Sequence, residues 1–256
     1  MSEFSFIKII DEREMGSLVL NRPPLNVMNI AMMREMNAAL EQLLHHPTAK
    51  VLLIKAEGKA FSAGVDVADH TADKVGLMMK EFHRLFELID QFKIPVIAVV
   101  DGAALGGGCE LAVFCDMIIA SERAKFGQPE IKVGVFPPIA TVIFPRLIGR
   151  NRALEWLMNG ETITAREAEG IGLVNRVFPI EGFADHVKTF VSKFTAQSKV
   201  IIEMTKKAVD SSLRRPVLEA LTDAEKLYLN EMMKTEDANE GLKAFLEKRQ
   251  PVWKNK

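Results

Sequence analysis

Three short apolar segments place the strongest constraint on the fold of this chain. They span residues 51–55, 95–100 and 117–120, and each has the length and composition of a buried β-strand. The stretches between them, residues 74–92 and 109–114, carry apolar side chains at helical spacing, so strands alternate with helices. This alternation predicts an α/β fold with a parallel sheet.

The N-terminal segment predicts a hairpin followed by a helix. Apolar and polar residues alternate over residues 4–20 on either side of a polar turn. Asn29 precedes a run of apolar residues at helical spacing, as an N-cap does, and Pro47 ends that pattern. We therefore expect a helix between these two residues.

The pattern changes in the C-terminal part of the chain. Beyond about residue 150 it is almost entirely helical, and one further strand is predicted at residues 173–177. The predicted helices span residues 151–159, 164–170, 180–195, 198–213, 216–234 and 236–248. We therefore expect a core of repeated ββα units over residues 1–195 and a helical region over residues 196–256.

Charge and cysteine content argue against several classes of protein. The 256 residues include 33 Lys and Arg against 34 Asp and Glu, and a net charge of −1 disfavours nucleic-acid binding through phosphate neutralisation. The apolar segments are far shorter than a membrane span, and the first residues show no signal or transit pattern. Cys109 and Cys115 lie in an apolar run without a partnering histidine, so we expect buried thiols, no metal site and a cytoplasmic protein.

Two glycine-containing turns follow predicted strands, at residues 59–67 and 101–110. Neither matches a phosphate-binding loop or a dinucleotide fingerprint, and the first misses the serine-hydrolase pattern by one position. Two interpretations remain open. The glycines either allow close packing of tight turns, or they expose one N–H group from each turn to a carbonyl oxygen, as in an oxyanion hole.

Two carboxylates lie next to glycine turns in apolar surroundings. Glu110 lies just inside the helix that follows the second turn, and Glu130 lies in a Gly/Pro loop over residues 126–131. Taken singly, Glu110 suits the positive end of a helix and Glu130 is an ordinary loop acid. Taken together they suit proton transfer, because apolar burial raises a carboxyl pKa towards neutrality and a pair can divide the acid and base roles.

In this order, the motifs resemble the crotonase family of enoyl-CoA hydratases and isomerases, over essentially the whole chain. The matching segments are residues 18–23, 61–66, 102–112, 115–116, 126–130, 164–168, 172–177 and 245–249. The resemblance implies a spiral of ββα units with a helical C-terminal trimerisation region, assembled as a trimer or a dimer of trimers. It also implies an acyl-CoA thioester as substrate, with no cofactor beyond the coenzyme A of that substrate and no metal.

The resemblance also implies roles for particular residues. The backbone N–H groups of Val65 and Gly107 would form the oxyanion hole for the thioester oxygen. Glu110 would orient the attacking water, and Glu130 would exchange the proton at the α-carbon. Both glutamates are present, whereas many isomerases of the family have lost one, so hydration or dehydration is the expected reaction.

Binding of coenzyme A is expected around the first glycine turn, where the backbone near Ala63 and Val67 would line the adenine site beside Arg22 and Asp66. Family members often carry one lysine after the Asn-Arg-Pro turn and another after the aspartate of the first loop. This chain has Pro24 and Ala68 in those places. The expected substitutes are Arg22, Lys59, or Lys248 or Lys254 of a neighbouring subunit.

The expected acyl pocket is lined by Phe82, Phe86, Phe136 and Pro138. Many hydratases of the family have a Gly-Ala-Gly-Gly-Thr-type run at this point, where this chain continues from Pro137 and Pro138 without a glycine. Proline fixes φ and removes an N–H donor, so we expect a stiffer, more apolar pocket. In this respect the chain resembles the cyclic dienoyl-CoA hydratases of anaerobic aromatic degradation.

Three alternatives remain open at this point. The proline-containing segment either reshapes the pocket or merely packs differently around an ordinary enoyl-CoA. The chain is alternatively an isomerase, thioesterase or carbon–carbon lyase of the same family, although the glutamate pair argues against this. The last alternative is a non-catalytic scaffold that binds acyl-CoA or RNA.

Overall fold

A computed structural model describes residues 4–256, so the first three residues of the predicted core lie outside the described part. The strands are β1 Ile7–Glu12, β2 Met15–Leu20, β3 Val51–Ala56, β4 Ala60–Ser62, β5 Val96–Val100, β6 Ala103–Leu105, β7 Met117–Ser121, β8 Lys125–Gly127, β9 Thr162–Thr164 and β10 Arg176–Phe178. The helices are α1 Ile30–Leu44, α2 Val75–Asp90, α3 Gly107–Phe114, α4 Pro138–Leu147, α5 Arg150–Asn159, α6 Ala165–Gly170, α7 Phe183–Thr195, α8 Lys199–Ser212, α9 Val217–Asn230 and α10 Glu236–Leu246. Short 3-10 turns lie at Val67–Asp69, Pro129–Val133 and Met232–Lys234.

The strands form two sheets that the chain visits in turn. The larger sheet has the order β1-β2-β3-β5-β7-β10, and all its pairings are parallel except that of the β1–β2 hairpin. The smaller sheet has the order β4-β6-β8-β9. After β3, β5 and β7 of the large sheet, the chain passes directly to β4, β6 and β8 of the small one. The repetition winds the chain into a spiral and confirms the predicted α/β fold.

The main hydrophobic core is built from both sheets and the helices that follow their strands. Helix α1 contributes Met32, Met36 and Leu40 to it, and its N-cap Asn29 accepts a hydrogen bond from the Met32 N–H at 2.9 Å, as the sequence predicted. On the other face of the large sheet, a second apolar cluster packs strand residues against Val187 of α7. The sheets are thereby covered and hold the β-to-α turns in fixed positions.

Several elements differ from the sequence prediction. The strand predicted at residues 173–177 occupies Arg176–Phe178, because Leu173 and Val174 lie in the turn after α6. Helix α3 begins at Gly107, two residues before the prediction. Gly108 lies inside this helix because no larger residue fits there: a Cβ would lie 2.4 Å from the Ser62 carbonyl oxygen. The four strands of the small sheet and helix α4 were not predicted, because three-residue strands show too little alternation and prolines obscure α4.

The C-terminal helices are tied together but expose much of their apolar surface. Helices α8 and α9 bury none of their residues in the single chain. The buried carboxylate of Asp237 accepts hydrogen bonds from the Lys254 and Asn255 N–H groups, at 2.7 and 2.9 Å, and thereby fixes the final residues. Among residues 4–256, no helix has the length and apolar character needed to cross a bilayer.

Candidate active site

Glu110 is buried in the first turns of α3, with only 2% of its surface exposed. Its Oε1 atom accepts hydrogen bonds from the N–H groups of Ile139 and Ala140, at 2.7 and 2.9 Å. These are the first available donors of α4, because the helix begins at Pro138, which has no N–H. The carboxylate of one helix therefore caps the next, and this fixes the orientation of the Glu110 side chain.

Glu130 lies in the 3-10 turn that follows β8, and its carboxylate reaches over the second glycine turn. Its Oε1 atom lies 2.8 Å from the position that a Cβ would take on Gly106, whose φ is near +50°, so a larger residue there would be strained and would push the carboxylate aside. With its amide nitrogen facing Glu130, the fully buried Gln128 side chain donates to both carboxylate oxygens, at 3.0 and 3.1 Å. Gln128 is the neighbouring polar residue that sequence reasoning missed, since a glutamine in a Gly/Pro loop gives no distinct signal.

The two carboxyl groups have pKa values raised towards neutrality. Burial, with a smaller contribution from the nearby charge of Glu130, raises the pKa of Glu110 to about 7, although the two N–H groups of α4 act in the opposite direction. Burial likewise raises the pKa of Glu130 to about 7. At neutral pH the pair can therefore hold one proton and one negative charge, which suits a paired acid and base.

The two glycine turns meet directly beside these carboxyls. Gly64 has φ near +105°, and a Cβ there would lie 3.0 Å from the Leu105 carbonyl oxygen and 3.5 Å from the Gly107 nitrogen. In the β-bridge between Met28 and Val65, the Met28 N–H donates to the Gly64 carbonyl, and the Asp66 N–H donates to the Met28 carbonyl. Neither hydrogen bond uses the Val65 N–H. Within residues 4–256 the Val65 N–H therefore has no acceptor, and Gly107, as the first residue of α3, also has a free N–H.

Among the residues predicted for the acyl pocket, Phe82 lies against Gly107 in the second glycine turn. A Cβ on Gly107 would lie 2.7 Å from Cγ2 of Val65 and 3.1 Å from Cζ of Phe82. Phe86 packs edge to face on Phe82, with ring centroids 4.9 Å apart. Pro138 is half-buried at the start of α4.

Phe136, by contrast, lies 69% exposed on the segment before α4. In the single chain it is not enclosed with Phe82 and Phe86, and its assignment to the pocket stays a prediction.

The residues predicted to bind coenzyme A cluster around the first glycine turn. The Arg22 guanidinium donates to the Val27 carbonyl at 2.6 Å and lies 4.0 Å from the carboxylate of Asp66. The Ala63 N–H is held by the Leu25 carbonyl at 3.0 Å.

Side chains that the sequence offered for the phosphates of coenzyme A lie farther along the chain or at its surface. Lys59 lies at the surface in the turn before β4. Val67, which was predicted for the adenine site and not for the phosphates, is largely exposed beside Asp66. In the C-terminal part, Lys254 pairs with Glu236 at 3.0 Å.

The fold and the site combine a ββα spiral with two backbone N–H groups that lack acceptors and with paired carboxyls of raised pKa. A family model described as "Enoyl-CoA hydratase/isomerase" matches residues 12–256. The chain therefore belongs to the enoyl-CoA hydratase/isomerase family, as the sequence motifs indicated.

Individual relatives agree with this membership. The chain is 36% identical over 250 residues to a probable mitochondrial enoyl-CoA hydratase of Dictyostelium discoideum, covering 94% of this chain and 88% of that protein. It is 36% identical over 260 residues to the cyclohexa-1,5-dienecarbonyl-CoA hydratase of Thauera aromatica, covering 100% of both.

Solved structures show the same fold. The enoyl-CoA hydratase of Bacillus anthracis superimposes with a TM-score of 0.93 at 30% identity, over 98% of this chain and 100% of that one. A structure from Geobacillus kaustophilus HTA426 described as an enoyl-CoA hydratase subunit gives a TM-score of 0.92 at 35% identity, over 100% of both chains. The crotonase-type fold predicted from the sequence is thereby confirmed.

Proposed function

We propose that this chain is an acyl-CoA hydro-lyase that adds water to an α,β-unsaturated acyl-CoA, or removes it. The observation that carries the proposal is the pairing of Glu110 and Glu130, two carboxyls with pKa values of about 7, beside the free N–H groups of Val65 and Gly107. An isomerase needs only one proton carrier, so the pair favours hydration.

The proposed reaction follows from the positions of these groups. The thioester oxygen accepts hydrogen bonds from the Val65 and Gly107 N–H groups, which stabilise the charge that develops on it. Because Oε1 of Glu110 is held by α4, its Oε2 atom is the one that accepts a proton from water. The water oxygen bonds to the β-carbon, and Glu130 delivers a proton to the α-carbon, so that one water is added across the double bond.

For the acyl group, we propose a cyclic dienoyl-CoA of the kind formed in anaerobic aromatic degradation. Pro137 and Pro138 stiffen the wall that carries the donors to Glu110, and the Phe82 ring presents an aromatic edge to the site. Full-length similarity to the dienoyl-CoA hydratase of Thauera aromatica supports the same assignment. We propose that the coenzyme A moiety lies against Ala63, Asp66 and Val67.

We further propose a homo-oligomer, a trimer or a dimer of trimers, in the cytoplasm. Helices α8 and α9 bury no residue within one chain, and Leu218 and Phe245 are 79% and 83% exposed. Apolar surface of this extent suits a subunit interface. The buried thiols of Cys109 and Cys115 suit a reducing compartment. A neighbouring subunit would then bring Lys248 or Lys254 to the coenzyme A phosphates.

The test is mass spectrometry of purified protein incubated with crotonyl-CoA and, separately, with cyclohexa-1,5-dienecarbonyl-CoA. A water adduct from the cyclic diene alone supports the proposed substrate. Rapid hydration of crotonyl-CoA instead indicates a general enoyl-CoA hydratase in which residues 137–138 only alter packing. A shifted double bond without added water indicates the isomerase, and binding without any product indicates a scaffold.

A further inference from the structure

A row of three aromatic rings leads away from the reaction centre. It starts at Phe82, whose edge lies against Gly107. The Phe82 and Phe86 rings meet at 4.9 Å and 88°, and the Phe86 and Phe114 rings meet at 4.9 Å and 63°. Gly107 and Phe114 are the two ends of α3, so the row follows this helix over about 10 Å, at ~1.5 Å of rise per residue.

The other end of the row reaches a large apolar groove. Phe114 lines this groove, which lies between α3, α4 and α8 and has a volume of about 1440 Å³. Ile143, Ile202 and Leu213 are among its other lining residues. The reaction centre and the groove are therefore the two ends of one aromatic row.

The rings fill the space that separates these two ends. Phe82 and Phe86 are 2% and 4% exposed, and both belong to the main hydrophobic core. Edge-to-face contacts of this kind stabilise a fixed arrangement of the rings. An acyl chain directed from Gly107 towards the groove must therefore displace a core side chain.

We propose that the row formed by Phe82, Phe86 and Phe114 is the end wall of the acyl pocket and restricts the enzyme to compact acyl groups, short or cyclic. The Phe86 ring then separates the reaction centre from the apolar groove beyond it. The α8 side of that groove belongs to the surface proposed for the subunit interface, so the wall of rings, and not the groove, sets the acyl length. This inference rests on the proposed function, because it assigns a substrate size to the same site. It depends on contacts of α2 with α3, not on the prolines of α4.

The wild-type protein supplies the first test. We would measure kcat/KM for crotonyl-, hexenoyl-, decenoyl- and dodecenoyl-CoA. The wall predicts a fall of at least about tenfold between hexenoyl- and dodecenoyl-CoA, since exclusion of a few methylene groups from a closed pocket produces discrimination of this size. Equal values across the series would overturn the proposal, whether or not any variant folds.

Variants then locate the wall. Phe86→Ala is expected to raise the ratio of kcat/KM for dodecenoyl-CoA to that for crotonyl-CoA by about tenfold or more. The matched control is Phe92→Ala, which removes a phenylalanine of the same 4% exposure from the same core but outside the row. The control should keep the wild-type ratio. An equal change in both variants would show that core loosening, not a wall, sets chain length.

A binding measurement separates this inference from the hydratase assignment. Calorimetry with butyryl-CoA and dodecanoyl-CoA, which cannot be hydrated, should show about tenfold tighter relative binding of the longer thioester in Phe86→Ala. Phe114→Ala, at the half-buried groove end, is the second variant in case Phe86→Ala does not fold. Unchanged relative affinities would overturn the wall. The expected change together with no water adduct from any thioester would overturn hydration alone.

Discussion

The carboxylate of Glu110 caps helix α4, because its Oε1 atom accepts the main-chain hydrogen bond of Ala140 at 2.9 Å. Two opposing effects act on this carboxyl. The donors and the dipole of α4 favour its ionised form, whereas burial favours the neutral form and raises its pKa to about 7. The same contact therefore orients a helix of the pocket and leaves the carboxyl able to exchange a proton near neutral pH.

Replacing either glutamate with glutamine should remove most hydratase activity without unfolding the protein. Glu110→Gln and Glu130→Gln each remove one proton carrier while preserving side-chain volume, and we expect kcat to fall by ~10²–10⁴-fold. Steady-state hydration assays and circular dichroism measure the two effects. The control is Glu87→Gln, an exposed position on α2, which should keep wild-type rates. Full activity in both active-site variants would rule out the proposed mechanism.

The buried Glu110 should make stability depend on pH. Its pKa lies at about 7 in the folded protein against 4.5 in the unfolded chain, so the folded state holds the proton more tightly. The contribution of this group to the free energy of unfolding is then greatest below pH 4.5. It decreases by on the order of 3 kcal/mol as the pH rises through 7.

Glu110→Gln should abolish this contribution, because glutamine carries no titrating proton yet still offers an oxygen to the N–H groups of Ile139 and Ala140. Urea unfolding at about pH 5 and about pH 8, on either side of the transition, measures this contribution to stability. The variant should be more stable than the wild type at the higher pH. An unchanged difference between the two proteins at both pH values would contradict the assigned protonation.

Adding a methyl group to Gly107 should disrupt the proposed oxyanion hole. The new Cβ of Gly107→Ala would stand 2.7 Å from Cγ2 of Val65 and 3.1 Å from Cζ of Phe82, so these side chains must shift beside the two N–H donors and crowd the space for the thioester oxygen. Loss of one such donor lowers kcat by ~10²–10³-fold. Gly76→Ala is the matched control, since nothing lies within 4 Å of its Cβ and it is a helical position. Equal kcat values for the two variants would exclude Gly107 from the hole.

A charge on the C-terminal helices should dissociate the proposed oligomer. Leu218→Asp replaces a side chain of α9 that is 79% exposed in one chain, so its effect on the folding of that chain should be small. Burial of an unpaired carboxylate at an interface is costly, and we expect monomers in light-scattering measurements. Ile180→Asp, outside these helices, is the control. A wild-type protein that is itself monomeric would contradict the proposal.

How far the sequence predicted the molecule depended on the length of each element. Helix α1 was predicted from its Asn29 cap and apolar spacing, and the β1–β2 hairpin from alternation. Strand β9 and helix α4 were missed because tertiary contacts, not local pattern, form them. Pro137 and Pro138 are acceptable at the start of α4 because the helix begins on Pro138 and because Glu110, far away in sequence, caps it.

The candidate site shows the same distinction. Glu110 and Glu130 were identifiable because acidic residues are unusual in apolar and glycine-rich surroundings. The hydrogen bond from Gln128 to Glu130 could not be predicted, since a buried amide and an exposed one have the same sequence signal. The exposure of Phe136 was likewise hidden, because an aromatic residue after an apolar run usually predicts burial.

The most direct test of the paired-carboxyl account is hydration in water labelled with oxygen-18, followed by mass spectrometry of the intact thioester. The account predicts that crotonyl-CoA or the cyclic dienoyl-CoA gives a hydroxyacyl-CoA that carries the label in its new hydroxyl group, with the thioester uncleaved. It also predicts that Glu110→Gln and Glu130→Gln lose this product together. A free acid carrying the label, or an isomer without it, would contradict the account.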